Sequence, residues 1–235
     1  MDPTYPITIT REALRAKKAC EQGLAAFDKV APSGVLVAED VFAHMGLLAG
    51  TLAPFEAWAQ GKALLPPIRY AGGHGSTVSG GYRSTVSGGD YSHVSGGAYS
   101  RVSGGYRSTV SGGDGSRVSG GRRSHVSGGH GSTVSGGYGS HVSGGAYSRV
   151  SGGDYSHVSG GYGSRVSGGY RSHVSGGDGS HVSGGDGSTL HLRYWDGARD
   201  RTAVAYVGED GIEPDTFYKY EHPKGWVKTF PDSNT

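Results

Sequence analysis

The feature that most constrains this chain is a repeat of eight residues. From Gly72 to Thr189 the pattern Ser-x-Val-Ser-Gly-Gly-x-x runs without an insertion. Val recurs at every eighth position from Val78 to Val182, and Leu190 takes the next place. The block contains no Pro, Leu, Ile, Phe, Trp, Lys or Glu. Gly and Ser in such amounts suit a flexible tether. A tether, however, has no use for a β-branched residue held in fixed phase, whereas stacked coils do. The block is therefore read as ordered.

Within an octad the residues alternate with the strand period of two. In Ser84-Thr85-Val86-Ser87, Ser84 and Val86 point to one side and Thr85 and Ser87 to the other. Val is the one steadily apolar residue, so its side is the inside. Gly88-Gly89 supplies the corner, where a positive φ or close backbone approach excludes a Cβ. Each octad is then one short strand and one turn, with strands stacked in parallel ~4.8 Å apart. The interior is a thin stack of Val and Ser whose hydroxyls bond along or across the coil.

The residue before each Val sets the coil size. Read every sixteen residues, one series is Thr77, His93, Thr109, His125, His141, His157, His173, Thr189. The other is Thr85, Arg101, Arg117, Thr133, Arg149, Arg165, His181. Every Arg at this position falls in one series, and all His but His181 fall in the other. Three octads per coil would scatter them over several faces. The expectation is an all-β repeat solenoid with two octads, sixteen residues, per coil. It is flattened and two-walled, with about seven coils over residues 71–189 and a length of roughly 35 Å.

The flanks differ in composition. In residues 1–70, Thr10 can N-cap a helix with Glu12 in its first turn, and Ala13, Ala16, Cys20, Leu24 and Phe27 recur at helical spacing. Further helices are expected from Glu39-Asp40 and after Pro54, giving a small α-helical domain that caps the first coil or docks a partner. Over 190–235, Leu190, Leu192 and Tyr194-Trp195 alternate as a strand, Asp196-Gly197 turns, and Thr202 to Val207 returns. A small C-terminal β cap is expected there.

Octads such as Gly137-Tyr138-Gly139-Ser140-His141-Val142-Ser143 and Gly73-His74-Gly75-Ser76-Thr77-Val78-Ser79 resemble the octapeptide repeats of bacterial ice-nucleation proteins. The resemblance covers the repeat block alone. It implies a sixteen-residue coil, an outward Thr-x-Thr face and an inward Ser ladder, and it raises ice binding as an alternative function. Here the outward pair is Thr-x-Ser at Thr77, Thr85, Thr109 and Thr133, and His or Arg stands at most other octads. The flanks resemble those of small phage- or prophage-encoded repeat proteins, which implies an inhibitor or decoy of a host protein or defence complex.

Other chemistry finds little footing in the sequence. One Cys excludes a disulfide framework or a Cys-based zinc site. No stretch is long and apolar enough for a membrane span, and no secretory h-region opens the chain, so the expected setting is the cytoplasm. The carboxylates Asp196, Asp200, Glu209, Asp210 and Asp215 lack catalytic or metal-ligating spacing, and the Gly-x-Gly patterns are repeat corners rather than a dinucleotide fingerprint. The sequence reading is thus of no enzyme, no cofactor and no metal.

The surface remains. Between residues 72 and 189 stand nine Arg and five Asp, with eight His besides. The candidate binding face carries Arg101, Arg117, Arg149, Arg165 and His181. A second face carries His93, His125, His141, His157 and His173, and the corners carry Arg83, Arg107, Arg122, Arg123 and Arg171. Tyr91, Tyr99, Tyr147 and Tyr155 are interleaved. The expected partner is a protein, with a polyanion or nucleic acid second and a second copy paired side by side third.

Overall fold

The computed structural model describes residues 8–16, 28, 35–37 and 69–229. The chain divides into two compact units, Met1–Ile68 with Gly81–Arg83, and Arg69–Gly80 with Ser84–Thr235. In the first, strands Thr8–Thr10 and Val35–Val37 pair antiparallel, and helix Arg11–Ala16 follows directly on the first strand. Glu12 in its first turn and Arg15 in its last suit the helix dipole. Arg11 donates Nε and Nη2 to both carboxylate oxygens of Asp28, at 2.8 and 2.9 Å. The first helix starts directly after Thr10, as expected, and Asp28 is helical as well, while the strand pair beside the helix is an addition to the expected helices. The helices expected from Glu39 and after Pro54, and Cys20 with them, lie outside the described residues.

The second unit is an all-β solenoid of about eight turns. Its strands form two sheets, one of 9 and one of 10 strands, and consecutive octads alternate between them. Neighbouring rungs pair in parallel with a constant shift of sixteen residues, as in Val126↔Val142 and Val134↔Val150. The stack starts one strand earlier than the octad pattern: Arg69–Ala71 pairs in parallel with Thr85–Ser87, and Tyr70 stands in the Val place opposite Val86. The repeat reading, which stopped at Gly72, had no Val there to register.

The interior is as thin as two facing rows allow. Val86 to Val182 and then Leu190 are at most 2% exposed and form one cluster, which Tyr218 and Ile212 extend. Burying one Val stabilises by roughly 1.5 kcal/mol or more, and the row repeats that contribution each octad. From Ser84 to Ser188 the first Ser of each octad is buried beside it. Ser140 shows why this is Ser rather than Ala. Its Oγ accepts from the Ser124 amide at 3.3 Å and donates to the Gly121 carbonyl at 3.1 Å. Both are backbone groups of the coil before, and the Gly121 carbonyl also accepts from the Gly137 amide at 3.2 Å.

The two Gly are required by space, not by φ. A Cβ on Gly136 would lie 2.5 Å from Val142 Cγ2, and one on Gly137 would lie 3.0 Å from the backbone of Gly121 and Arg122. Of the two reasons expected at the pair, close approach is the one that holds, and the positive φ falls two residues later, on the second variable position. There Gly75, Gly139 and their like alternate with Tyr and Arg.

After the last octad the chain changes direction. Thr189–Trp195 still pairs in parallel with His173–Gly176, but its other side takes Asp200–Tyr206 antiparallel. In the second sheet Phe217–Glu221 meets His181–Gly184 antiparallel at Val182↔Tyr218 and forms a hairpin with Gly225–Thr229. The turn between the first two strands is held by Asp196, whose Oδ1 accepts from the Ala198 and Arg199 amides at 2.8 Å. Its carboxyl is lowered to about 2, first by the hydrogen bond from Arg201 and then by those two amides. The Asp196 carboxylate is thus a turn residue.

Candidate binding faces

The strand period puts the residue before each Val outside, and the sixteen-residue register lines these residues up. One sheet carries Arg69, Thr85, Arg101, Arg117, Thr133, Arg149, Arg165 and His181 in successive rungs. The other carries Thr77, His93, Thr109, His125, His141, His157, His173 and Thr189. No two Thr are neighbours in either row. Arg69 extends the Arg row by a rung that the octad pattern did not include. Counting sixteen back from Thr85 reaches it.

The Arg row is not uniform. Arg101 and Arg117 are adjacent and exposed, and Arg149 is exposed beyond Thr133. Arg165 is different: its guanidinium carbon sits 3.8 Å from the centroid of the Phe217 ring. The returning strand covers it, so its side chain serves the end of the solenoid, and His181 beside it is half-buried. The free part of the candidate face is accordingly Arg101, Arg117 and Arg149.

The His row forms a stack. Rings of His125, His141, His157 and His173 follow one another at 4.9 Å with planes within 5°. His93 stands apart, between Thr77 and Thr109. Burial, then the neighbouring imidazoles His141 and His173, holds the His157 imidazolium form below its ordinary range. His191 occupies the place of the second, outward Ser one coil beyond Ser175, and burial with His173 lowers it likewise. Its identity breaks the octad, and the sixteen-residue register alone would have placed it on this face.

The corners divide by edge. Arg107, Arg122, Arg123 and Arg171 follow strands of the Arg sheet, whereas Arg83 follows a strand of the His sheet. Along the first edge aromatic rings run from coil to coil. His74–Tyr91 and Tyr91–Tyr106 lie at 5.1 and 5.5 Å, and Tyr138–Tyr155 and Tyr155–Tyr170 at 5.4 and 5.6 Å. Arg107 lies over Tyr106 at 5.5 Å, Arg122 over Tyr138 at 5.2 Å and Arg171 over Tyr170 at 5.0 Å. On the other edge Tyr147 contacts His130 and Tyr162, both at 5.4 Å, and Tyr99 is exposed.

Charge pairing is one-sided. Among the described residues none of the nine solenoid Arg makes a salt bridge; the ion pairs involve Arg11 and residues from Arg193 onward. Three of the five Asp of the repeat are occupied elsewhere. Asp90, Asp114 and Asp154 accept the amides of Tyr106, His130 and Tyr170, each one coil on, at 2.7 to 2.9 Å. No group of three His, Cys, Asp or Glu among the described residues is placed to hold a metal ion, and no described helix is long and apolar enough to cross a membrane. No protein-family model matches the chain, no curated protein matches its sequence, and no solved structure matches its fold.

Proposed function

We propose that the chain is a non-catalytic binding scaffold that presents its Arg, Tyr and His rows to a macromolecular partner, foremost the acidic face of a protein. The observation that carries this reading is the unpaired state of the solenoid Arg: nine guanidiniums, none in a salt bridge among the described residues. Holding like charges one rung apart costs energy that the fold does not require. An acidic partner offsets that cost. The block uses Arg and Tyr and excludes Lys and Glu, the bias of protein interfaces. A rigid rod also loses little freedom on binding. The likeness of the flanks to phage-encoded repeat proteins extends the proposal to an inhibitor that occupies a host protein in the cytoplasm of an infected cell.

The test is capture of a partner from host lysate by the wild type and by the triple variant Arg101→Ser, Arg117→Ser, Arg149→Ser. The partner is expected to be acidic and to be lost by the variant, with the far-ultraviolet circular dichroism unchanged. Equal capture by the variant defeats the reading. Thermal hysteresis by the purified protein would favour ice binding instead.

A further inference from the structure

The His sheet carries a feature that the protein-binding reading does not use. Between its two outward rows runs a straight trough of about 300 Å³. The imidazoles from His125 to His173 form one side, and the hydroxyls from Ser127 to Ser175 form the other. His191 continues it past Ser175, and no carboxylate lines it.

Its dimensions follow from the register. The rows are two residues apart on every strand, so they stand roughly 7 Å from each other. Along the axis the imidazoles recur every 4.9 Å. The space is one phosphate wide and several phosphates long; a base or a sugar ring lying flat is too broad for it. Both walls can donate hydrogen bonds. Among the described residues the four stacked imidazoles contact one another and hydrogen-bond to nothing, and the hydroxyls of Ser127, Ser143 and Ser159 likewise have no partner.

We propose that this trough binds a linear polyphosphate-type anion, and that binding takes up protons. Alone, the stack resists charging, because each imidazolium meets another a rung away. A chain of phosphates laid along it reverses that balance and favours the cationic rings. The surrounding charges agree. Arg107, Arg123 and Arg171 stand two residues before Thr109, His125 and His173 at the strand starts. Carboxylates come in at one end alone: Asp178 and Asp200 line the adjoining hollow, which shares Ser175 and His191 with the trough and where Asp200 pairs with Arg193 at 3.6 Å. Burial and neighbouring imidazoles lower His157 and His191, so binding of an anion that favours the charged rings strengthens as pH falls toward the ordinary His value of about 6.5.

The experiment is calorimetric titration with inorganic polyphosphate at about pH 6 and pH 8, in two buffers of different ionisation enthalpy. Saturable binding is expected at the lower pH with net proton uptake, weakened about tenfold or more at the higher. The double variant His141→Thr, His157→Thr is compatible with the fold, since Thr109 holds the same place in the row. It should lose about tenfold in affinity and most of the proton uptake. The Arg101→Ser, Arg117→Ser variant should bind as the wild type does, which separates this site from the protein-binding face. Absence of binding, an unaffected His variant, a pH-independent affinity, or loss in the Arg variant overturns the proposal. Equal affinity for an oligothymidylate of the same charge does so too, because it marks a generic charge effect.

Discussion

Eight corners of the solenoid hold Tyr or Arg at φ between 48 and 57°, where their siblings hold Gly at 62 to 68°. Left-handed backbone costs an L-residue about 1 kcal/mol or more. Asn and Asp bear it best, yet neither occurs at any of these corners. The Tyr and Arg side chains are therefore kept against a backbone cost, which points to use of the surface they form. Arg123 is a clean place to test the cost, since its φ is 56° and Gly139 holds the same corner one coil on. Arg123→Gly should raise stability by about 1 kcal/mol, read from the urea midpoint, while Arg123→Ala should bring no such gain. An equal response to both substitutions would show the corner to be unstrained.

The octad works as a strand, a hydroxyl bridge and a corner without room for side chains. Ser140→Ala should test the bridge: it takes the partner from the Ser124 amide, while the Gly121 carbonyl keeps the Gly137 amide. One orphaned buried amide costs about 1–3 kcal/mol, so a loss of about 1 kcal/mol or more in thermal or urea unfolding is expected. A loss below about 0.5 kcal/mol would mean that a neighbouring carbonyl or water takes over the amide. Much of this element was legible beforehand. Strand period, inward Val and Ser, and the sixteen-residue coil all follow from spacing, because a single β-branched residue in fixed phase admits few arrangements. The Gly pair was legible as a corner without room for a Cβ, but its reason stayed open between positive φ and close approach, because Gly announces freedom and crowding with the same letter. Arg69–Ala71 went unread, because Tyr70 replaces Val and the pattern seen in letters ends before the pattern in space. The covering of Arg165 by Phe217 joins residues 52 apart in different elements, and no local periodicity reports such a contact. The first 68 residues carry no repeat, and the strand pair found there rests on two short β-branched runs that helical spacing elsewhere overshadowed.

At the scale of the whole solenoid, the row identities depend on an even count of octads. Excising residues 125–140 removes one coil and keeps Arg and His on their own sheets. Excising 125–132 moves His141, His157 and His173 onto the Arg sheet and Arg149 onto the His sheet. The first deletion should leave the circular dichroism shape and Arg-dependent partner capture in place; the second should abolish capture and loosen the closing strands. Survival of capture after the odd deletion would show that row segregation is a relic of duplication without a role. The closing strands have a further bearing on how such rods meet. A stack of parallel rungs invites another rung of the same kind on its open side. At this end the outermost strands, Asp200–Tyr206 and Gly225–Thr229, run the other way and carry Asp200, Arg201 and Lys228. An incoming parallel coil would find reversed polarity and fixed charge where it needs a matching ladder.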